Sequence, residues 1–331
     1  MKLSLRKFLI GMTVAGSTAL AVQPAQAEYN LTLCGASPGG LWSLLGAGVD
    51  SAVKAAFPGS TVTYQTSGGG FANVVQLDQK KCDLAIIHDA EVKAAMQGIE
   101  PFKAPVGTMR TLAVMYTWAP MQLLVSKDYA EKNGLTSIED IAAKKLPINI
   151  LVNRRGNVVS DIAVSMLNAA GASPDNIKAW GGSVTYAASK EQSELMRDRR
   201  ADAILNSLFV GHSSITQLAS AIDLVLLPTG KETASKVMEE WSIGSYTIPG
   251  GSYAWAPNDT MTLTVSAQLF VREDADPKMV TDLTNALVDN ADKVAGVHKA
   301  MAALDAKLMA AATAAPYHPA AEAVYKAKGL R

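Results

Sequence analysis

The sequence predicts an α/β protein made of two lobes, each built around a mainly parallel sheet. Short apolar runs alternate with helical patterns through glycine-rich loops, which is typical of parallel sheets covered by helices on both faces. A similar strand, loop and helix unit occurs in each half of the chain. The composition fits a large apolar core, since 49% of the 331 residues are apolar and 30 basic residues balance 30 acidic ones. This balance argues against a disordered chain and against a basic protein that binds nucleic acid.

The individual elements follow from these patterns in chain order. The first half predicts strands at residues 31–34, 61–65 and 84–88 and helices at about 41–57 and 71–80. The second half predicts strands at 148–152 and 203–205 and helices at 158–170 and 190–200, with Gly171 ending the first of these helices. A strand at 262–271 and helices within 277–304 and in the alanine-rich tail complete the chain.

A long extended segment separates the two halves. Residues 112–125 are interrupted at Ala119-Pro120 and do not repeat the unit, so we expect this segment to cross between lobes. The expected division is 28–120 plus about 263–331 for lobe I, and about 121–262 for lobe II. Ligands of open parallel sheets bind beyond the carboxyl ends of the strands. We therefore expect the glycine-rich loops to face one shared cleft.

The amino-terminal 27 residues have the pattern of a secretory signal. A cationic start at Lys2, Arg6 and Lys7 precedes an apolar stretch at residues 8–22, and the segment ends in Ala25-Gln26-Ala27. We expect cleavage after Ala27 and export of the remaining chain. Later stretches are too short or too polar to supply the ~20 apolar residues of a membrane helix.

The positions of the two cysteines and four histidines indicate neither a disulfide nor a metal site. Cys34 and Cys82 both sit in apolar runs, Cys34 near the end of one predicted strand and Cys82 at the start of another. In parallel neighbours the two sulfurs would lie at opposite edges of the sheet, beyond the ~7 Å Cα separation that a disulfide tolerates. We predict two buried thiols. The histidines are scattered, so we predict no metal site.

One pattern suggests an enzyme. The segment from Gly35 to Gly39 fits G-x-S-x-G between a strand and a helix, which is the nucleophile elbow of serine hydrolases, with Ser37 as the nucleophile. A later Asp and His318 could complete the triad order. However, the elbow normally follows several strands, and here it follows the first one. An exported serine hydrolase using Ser37 is therefore the alternative interpretation.

Two loops are suited to an anion. Ser67-Gly68-Gly69-Gly70 precedes a helix, where free N–H groups and the helix dipole favour a carboxylate or phosphate, although a tight turn explains the glycines equally well. It lacks the lysine of a nucleotide-binding loop, and no dinucleotide motif occurs, so we expect no cofactor. Arg154 and Arg155 lie between a strand and a helix that Asn157 can cap. We expect one of the two guanidiniums to hold the anion and the other to be solvated or salt-bridged.

Aromatic and polar side chains at predicted strand and helix ends can line the same cleft. The aromatic candidates are Trp42, Tyr116, Trp118 and Phe209, of which we expect one or two to contact a ligand. His88 and Asn206 end matching strands in the two halves, and each can offer hydrogen bonds to the cleft or simply cap its strand.

Several segments, in their order and spacing, resemble the TAXI proteins (TRAP-associated extracytoplasmic immunogenic), the solute-binding components of tripartite ATP-independent periplasmic transporters. The similarity spans nearly the whole chain after residue 27. It is carried by Gly39-Gly40-Leu41-Trp42-Ser43-Leu44-Leu45-Gly46, Thr66-Ser67-Gly68-Gly69, Cys82-Asp83-Leu84-Ala85-Ile86-Ile87-His88-Asp89, Ile248-Pro249-Gly250-Gly251-Ser252-Tyr253 and Tyr317-His318-Pro319-Ala320-Ala321-Glu322.

The resemblance implies a type II periplasmic-binding fold, in which two lobes joined by hinge strands close on a ligand and deliver it to a membrane permease. Members of the family are associated with small organic anions such as glutamate and 2-oxoglutarate. Two positions depart from the family: residues 153–157 replace a small Pro-Gly-Ser-Gly-Thr-like loop, and His88 stands where Gln is common. The added positive charge favours an anion without an ammonium group.

These observations predict a non-enzymatic periplasmic protein that captures a C4–C6 carboxylate or dicarboxylate. Its expected partners are that anion and the membrane subunits of a TRAP permease, and we expect a monomer that binds no nucleic acid. The predicted ligand-binding residues are Gly40, Leu41, Trp42, Ser67, Gly68, Gly69, His88, Asp89, Trp118, Arg154, Arg155, Gly156, Asn157, Asn206 and Phe209.

Overall fold

The computed structural model describes residues 28–38, 40–311 and 313–331, and the predicted signal segment lies outside these residues. Ten strands occur in this part of the chain: β1 Asn30–Cys34, β2 Thr61–Gln65, β3 Leu84–His88, β4 Met109–Ser126, β5 Asn149–Val152, β6 Ser183–Tyr186, β7 Ala203–Ser207, β8 Leu224–Leu227, β9 Gly244–Ile248 and β10 Thr260–Arg272.

The same residues form fourteen α-helices: α1 Leu41–Ala56, α2 Gly70–Asp78, α3 Asp89–Gln97, α4 Lys127–Asn133, α5 Asp140–Ala143, α6 Val158–Ala169, α7 Pro174–Ala179, α8 Ser189–Arg197, α9 Ser213–Ala219, α10 Lys231–Trp241, α11 Pro277–Asp289, α12 Ala291–Ala295, α13 Ala306–Met309 and α14 Pro319–Ala327. A short 3₁₀-helix spans Lys299–Met301. No helix of the described residues is long and apolar enough to span a bilayer.

The strands form one connected sheet whose outer parts are parallel. The order is β2-β1-β3-β10-β4-β7-β5-β6, with β8 also paired to β4 and β9 to β10. The β1 strand pairs in parallel with β2 and β3, and β5 pairs in parallel with β6 and β7. The long strands β4 and β10 run antiparallel to each other between these two groups. The predicted α/β class is confirmed.

Strand β4 exchanges its partners in the middle. Its residues 109–120 pair with β10, whereas Met121–Val125 pair with β7. The predicted interruption at Ala119-Pro120 is wrong, because the strand continues through Pro120. This residue has no N–H to donate, and it lies at the position where one partner strand gives way to another.

The cysteines correct a second prediction. Cys34 and Cys82 form a disulfide with a Cα separation of 5.9 Å. Cys82 was expected to start a strand, but β3 begins only at Leu84 and the chain bends at Asp83. Strand β3 is staggered relative to β1, with Leu33 opposite Leu84 and Cys34 opposite Ala85, so the end of β1 lies beside the start of β3 and the argument from opposite sheet edges does not apply. The bridge joins the end of β1 to the segment before β3, inside a small apolar cluster with Leu77.

Candidate functional site

A cleft of about 520 Å³ lies where the predicted loops meet. Its walls come from the loop after β1, the end of β3, the middle of β4, the loops after β5 and β7, and the first residues of α8 and α9. The lining residues are Ala36, Ser37, Pro38, Gly40, Leu41, Trp42, His88, Tyr116, Ala119, Asn153, Arg154, Asn157, Val159, Ala188, Ser189, Lys190, Ser207, Leu208, Phe209, His212, Ser213, Ser214 and Gln217.

The charge of this lining is positive. Arg154 and Lys190 are exposed cations in the cleft, and none of the described lining residues is an Asp or Glu. Burial, and then the charge of His298, lowers the pKa of His212, so this ring is neutral at pH 7. Arg154 Nη2 donates to Ser37 Oγ. The guanidinium therefore faces a neutral hydroxyl, and an anion entering the cleft could take over that contact.

Four helices begin at the cleft. In α6 and α9 a side chain caps the helix, because Asn157 Oδ1 accepts from Val159 N at 3.0 Å and His212 Nδ1 accepts from Ser214 N at 3.1 Å. The residues that precede α1 and α8 are Gly40 and Ala188, which have no side-chain acceptor. The first-turn N–H groups of α1 and α8 thus add positive potential to the lining.

One side of the cleft is an aromatic wall whose side chains are joined by hydrogen bonds. Trp42 Nε1 donates to the Tyr116 hydroxyl at 3.0 Å, and that hydroxyl lies 3.3 Å from His88 Nε2. The rings of Trp42 and His88 are 4.7 Å apart, and Phe209 packs edge-on against Tyr116 at 5.0 Å. Burial raises the pKa of Tyr116 well above its ordinary value, so its hydroxyl keeps its proton. Hydrogen bonds thus link the side chains of Trp42, Tyr116 and His88, and the aromatic rings give this wall flat surfaces.

Comparisons with known proteins show the family of the chain and the structures that its fold resembles. A family model described as the NMT1-like family matches residues 33–329. The chain belongs to the NMT1-like family. Its fold is similar to that of PhnD1 from Prochlorococcus marinus in complex with methylphosphonate (TM-score 0.56, 12% identity), with 91% of this chain and 99% of that chain covered.

Two further solved structures share the fold of this NMT1-like protein. MatC from Rhodopseudomonas palustris, solved with bound malate, has a TM-score of 0.56 and 12% identity over 82% of this chain and 88% of that chain. The periplasmic binding protein BugD has a TM-score of 0.55 and 12% identity, with 92% and 98% covered. The periplasmic-binding-protein architecture predicted from the sequence is thereby confirmed.

Seven of the fifteen residues predicted for the site line the cleft of the NMT1-like protein. These residues are Gly40, Leu41, Trp42, His88, Arg154, Asn157 and Phe209. The two arginines separate in the fold: Arg154 lines the cleft, whereas the Arg155 guanidinium lies 3.8 Å from the centre of the Tyr186 ring. Both positively charged neighbours are placed by one short loop, and only one of them points to the cleft.

The other predicted residues lie behind or beside the lining. Ser67 Oγ donates to Asn73 Oδ1 at 2.6 Å, and its loop, with Gly68 and Gly69, meets the loop of Gly156. Asp89 accepts from Ser266 Oγ at 2.8 Å. The remaining two are hydrogen-bonded inside the protein: Trp118 Nε1 donates to Ala300 O at 2.8 Å, and Asn206 Nδ2 donates to Gln192 Oε1 at 2.9 Å.

Asn206 still contributes to the site indirectly. Its Oδ1 accepts from Asn153 Nδ2 at 3.2 Å, and its Nδ2 lies 3.1 Å from Ser189 Oγ. Asn153 and Ser189 both line the cleft. The buried amide of Asn206 therefore positions two groups that can reach a ligand.

The sequence reasoning missed the lining residues at the starts of α8 and α9. Lys190 and His212 are the chemically important ones, together with Asn153 from the loop after β5. Lys190 was assigned to a helix, and its place in the first turn at the carboxyl edge of the sheet was the available signal. His212 lies between Gly211 and the polar pair Ser213-Ser214, with which α9 begins.

The hydrolase alternative is not favoured by the geometry. Ser37 Oγ accepts its hydrogen bond from Arg154, which is a cation and not a base. His318 caps α14, with Nδ1 accepting from Ala320 N at 3.2 Å, and its backbone N–H bonds Thr111 O near the start of β4. Gly39, the last residue of the G-x-S-x-G pattern, lies outside the described residues.

Proposed function

We propose that this protein is a periplasmic solute-binding protein that captures a small organic anion and presents it to a membrane permease. The observation that carries the proposal is the cleft lining, which combines Arg154, Lys190 and two histidines without an acidic residue among those described. A volume of about 520 Å³ suits a small molecule and leaves room for bridging water. The interaction is binding without turnover.

The anion replaces Ser37 as the partner of Arg154. A guanidinium holds a carboxylate or phosphonate with two parallel hydrogen bonds, which a serine hydroxyl cannot offer. The open first turns of α1 and α8 add N–H donors on either side. We propose a C4–C6 carboxylate or dicarboxylate, with the aromatic wall of Trp42, Tyr116 and Phe209 setting its shape.

Closure of two lobes around the anion is the second part of the proposal. Lobe I comprises residues 28–120 plus about 263–331, and lobe II comprises about 121–262. This division is supported by the partner exchange in β4 and by the pairing of Thr264 with Pro120, which brings both crossing strands to one point. Rotation at this point would shift the population toward a closed form that the permease recognises.

The resemblance to TAXI proteins supports a TRAP-type permease as the partner. Export by the segment at residues 1–27 would place the protein in the periplasm as a monomer. Crosslinking in intact cells followed by identification of the attached membrane protein tests this part. Capture of TRAP membrane subunits is the expected result, and capture of an ATP-driven permease would replace them in the proposal.

Native mass spectrometry of the freshly purified protein, followed by a thermal-shift panel, tests the ligand class. The panel contains malate, 2-oxoglutarate, glutamate and methylphosphonate. We expect at least one of these anions to raise the melting temperature, since a ligand at 100 times its Kd adds about 2.7 kcal/mol to the unfolding free energy. Absence of any co-purified anion together with an unchanged melting temperature across the panel would overturn the proposed function.

A further inference from the structure

A second cavity lies at the other end of β7 from the cleft. Its volume is about 520 Å³, and its walls come from the end of β4, the first part of α4, the ends of α8 and α9, and the residues that precede β7 and β8. Asp202, just before β7, lines this cavity, whereas Ser207 at the end of β7 lines the cleft. No described residue lines both, so the two cavities are separate.

The same backbone arrangement occurs beside β3 in the first half of the chain and beside β7 in the second. Lys80 after α2 and Arg199 after α8 both have a φ of 57°, in the left-handed region. Asp83 and Asp202 follow three residues later, and each carboxylate accepts from a backbone N–H of the adjacent strand, β1 or β5, at 2.8 Å. Because the two arrangements match, Arg199 is the structural counterpart of Lys80.

The antiparallel strands beside β3 and β7 also match in register. The second residue of each parallel strand has a partner in the antiparallel strand, and the two pairs are Ala85 with Phe270 and Ile204 with Leu124. Two residues after these partners, Arg272 of β10 corresponds to Ser126 of β4. Four residues after them, Asp274 corresponds to Asp128. Each residue at this edge of the first half therefore has a defined counterpart in the second half.

In the first half, long side chains cover this edge of the sheet. Lys80 Nζ lies 2.8 Å from Asp274 Oδ2, and Arg272 Nε lies 2.7 Å from Asp274 Oδ1. Arg272 Nη1 also donates to the backbone oxygen of Asp78, the last residue of α2, at 2.5 Å. In the second half the counterpart of Arg272 is Ser126, whose side chain is too short to cover the end of α8. The cavity occupies this uncovered position.

The charged groups on the cavity wall lack the partners that their counterparts have. Arg199 and Asp128 correspond to the ion pair of the first half, but both line the cavity and neither forms an ion pair with any residue that the structure describes. The same is true of Lys132 and Asp223 on the same wall. Asp202 differs, because its carboxylate is held by β5. Two cations and two carboxylates thus face one cavity unpaired.

We propose that this cavity is a second ligand site and that it takes a small zwitterion, with the carboxylate of the ligand on Arg199 and its ammonium group on Asp128. The volume of about 520 Å³ suits a small molecule. A ligand with one charge would leave half of the wall unpaired, whereas a zwitterion complements both halves. The inference goes beyond the proposed function, because the described lining of the cleft contains cations and no carboxylate to hold an ammonium group.

Isothermal titration calorimetry with simple zwitterions tests the site. The probes are glycine, γ-aminobutyrate and 6-aminohexanoate, which place the ammonium and carboxylate groups at increasing separation. We expect at least one of them to bind. Hexanoate and hexylamine carry only one of the two charges of 6-aminohexanoate, and acetate and methylamine do the same for glycine. Each single-charge probe should bind at least about tenfold more weakly than the best zwitterion, because it lacks one charge-assisted hydrogen bond.

Variants of the cavity wall locate the bound zwitterion. Arg199→Gln and Asp128→Asn should each weaken its binding about tenfold or more. The matched controls are Arg200→Gln, which changes the exposed arginine next to Arg199, and Glu131→Gln in the same helix as Asp128; neither residue lines the cavity, and both variants should bind like wild type. Arg154→Ala should also leave zwitterion binding unchanged, because Arg154 lies in the cleft.

Three results would overturn the inference: no binding of any zwitterion, equal binding of a single-charge probe, or binding that is lost in Arg154→Ala and kept in Arg199→Gln. The last result would place the zwitterion in the cleft. Arg199 and Asp128 are exposed, so their variants keep the folded core. The proposed function fails separately, since absence of binding by the organic anions concerns only the cleft and leaves the zwitterion site standing.

Discussion

At the scale of single residues, the positive charge of the cleft depends on which of two adjacent arginines in a short loop reaches it. Arg154 and Arg155 are equivalent as a sequence pattern, and the fold separates them by turning one guanidinium to Ser37 and stacking the other on Tyr186. The pattern could predict that one arginine serves the anion, since strand-to-helix loops lie at the ligand edge. Which one it is depends on loop geometry that no spacing rule contains.

The arginines therefore make a matched pair of variants. We expect Arg154→Ala to weaken binding of the panel anion about 10- to 100-fold, because a charge-assisted hydrogen bond contributes roughly 1.5–3 kcal/mol. Arg155→Ala removes the same charge from the same loop but no cleft contact, so its loss should be less than about threefold. Calorimetric titration of both variants measures the difference. Equal losses would remove Arg154 from the binding model.

A second residue-scale prediction concerns Asp161. Burial and then Glu91 raise the pKa of Asp161 to about 6 from its ordinary 3.8, so the folded protein holds this proton more tightly than the unfolded chain does. Ionised Asp161 thus weakens the fold above pH 6, and the penalty disappears as the pH falls toward 4.

We expect Asp161→Asn to be more stable than wild type at pH 8, by up to about 1 kcal/mol because solvent screens the partly exposed carboxyl. The two proteins should unfold at the same denaturant concentration near pH 4. Urea unfolding at both pH values measures this. A variant that is less stable than wild type at pH 8 would contradict the sign of the effect.

At the scale of elements, prediction was most accurate where an apolar run has polar residues or glycine at its ends. The β2 and β3 strands have the predicted bounds, and α1 and α6 begin at the predicted residues. The missed elements, such as β6, β8 and α9, are short, and β6 has no fully buried residue. Segments of four to seven residues are too short to show the periodicity on which prediction relies. The disulfide was missed because the stagger of β3 relative to β1, which places Cys34 opposite Ala85, cannot be deduced from the two apolar runs.

The disulfide gives an element-scale prediction. It joins residues 48 apart and so closes a loop of that length, for which chain entropy implies a stabilisation of about 4 kcal/mol and typical measured values are about 2–4 kcal/mol. We expect the double variant Cys34→Ala/Cys82→Ala to lose this amount in guanidinium unfolding. Wild type under reducing conditions should fall to the level of the double variant, while the reductant should leave that variant unchanged. Equal stability of both proteins, with and without the reductant, would show that the bridge does not form in solution.

At the scale of the whole molecule, the fold places its positive cleft at the point where two long strands change partners. Tyr116 and Ala119 of β4 line the cleft, and the exchange occurs between Pro120 and Met121. Contacts that join the proposed lobes include Arg154 to Ser37, and Lys93 Nζ to the backbone oxygens of Glu239 and Glu240 at 3.1 and 2.9 Å. Arg154 therefore both lines the cleft and joins the proposed lobes.

Because Arg154 both lines the cleft and joins the proposed lobes, we predict that closure of the two lobes depends on this residue. Small-angle X-ray scattering of the wild-type protein should show a smaller radius of gyration when a panel anion is added to saturation, because the anion links the loop of Arg154 to the first turn of α1. The Arg154→Ala variant at the same anion concentration should keep the radius of its ligand-free form, and Arg155→Ala should close like wild type. If the wild-type radius stays constant while calorimetry shows full occupancy, the cleft binds without lobe motion. The partner exchange in β4 would then be a static feature of the sheet and not a hinge.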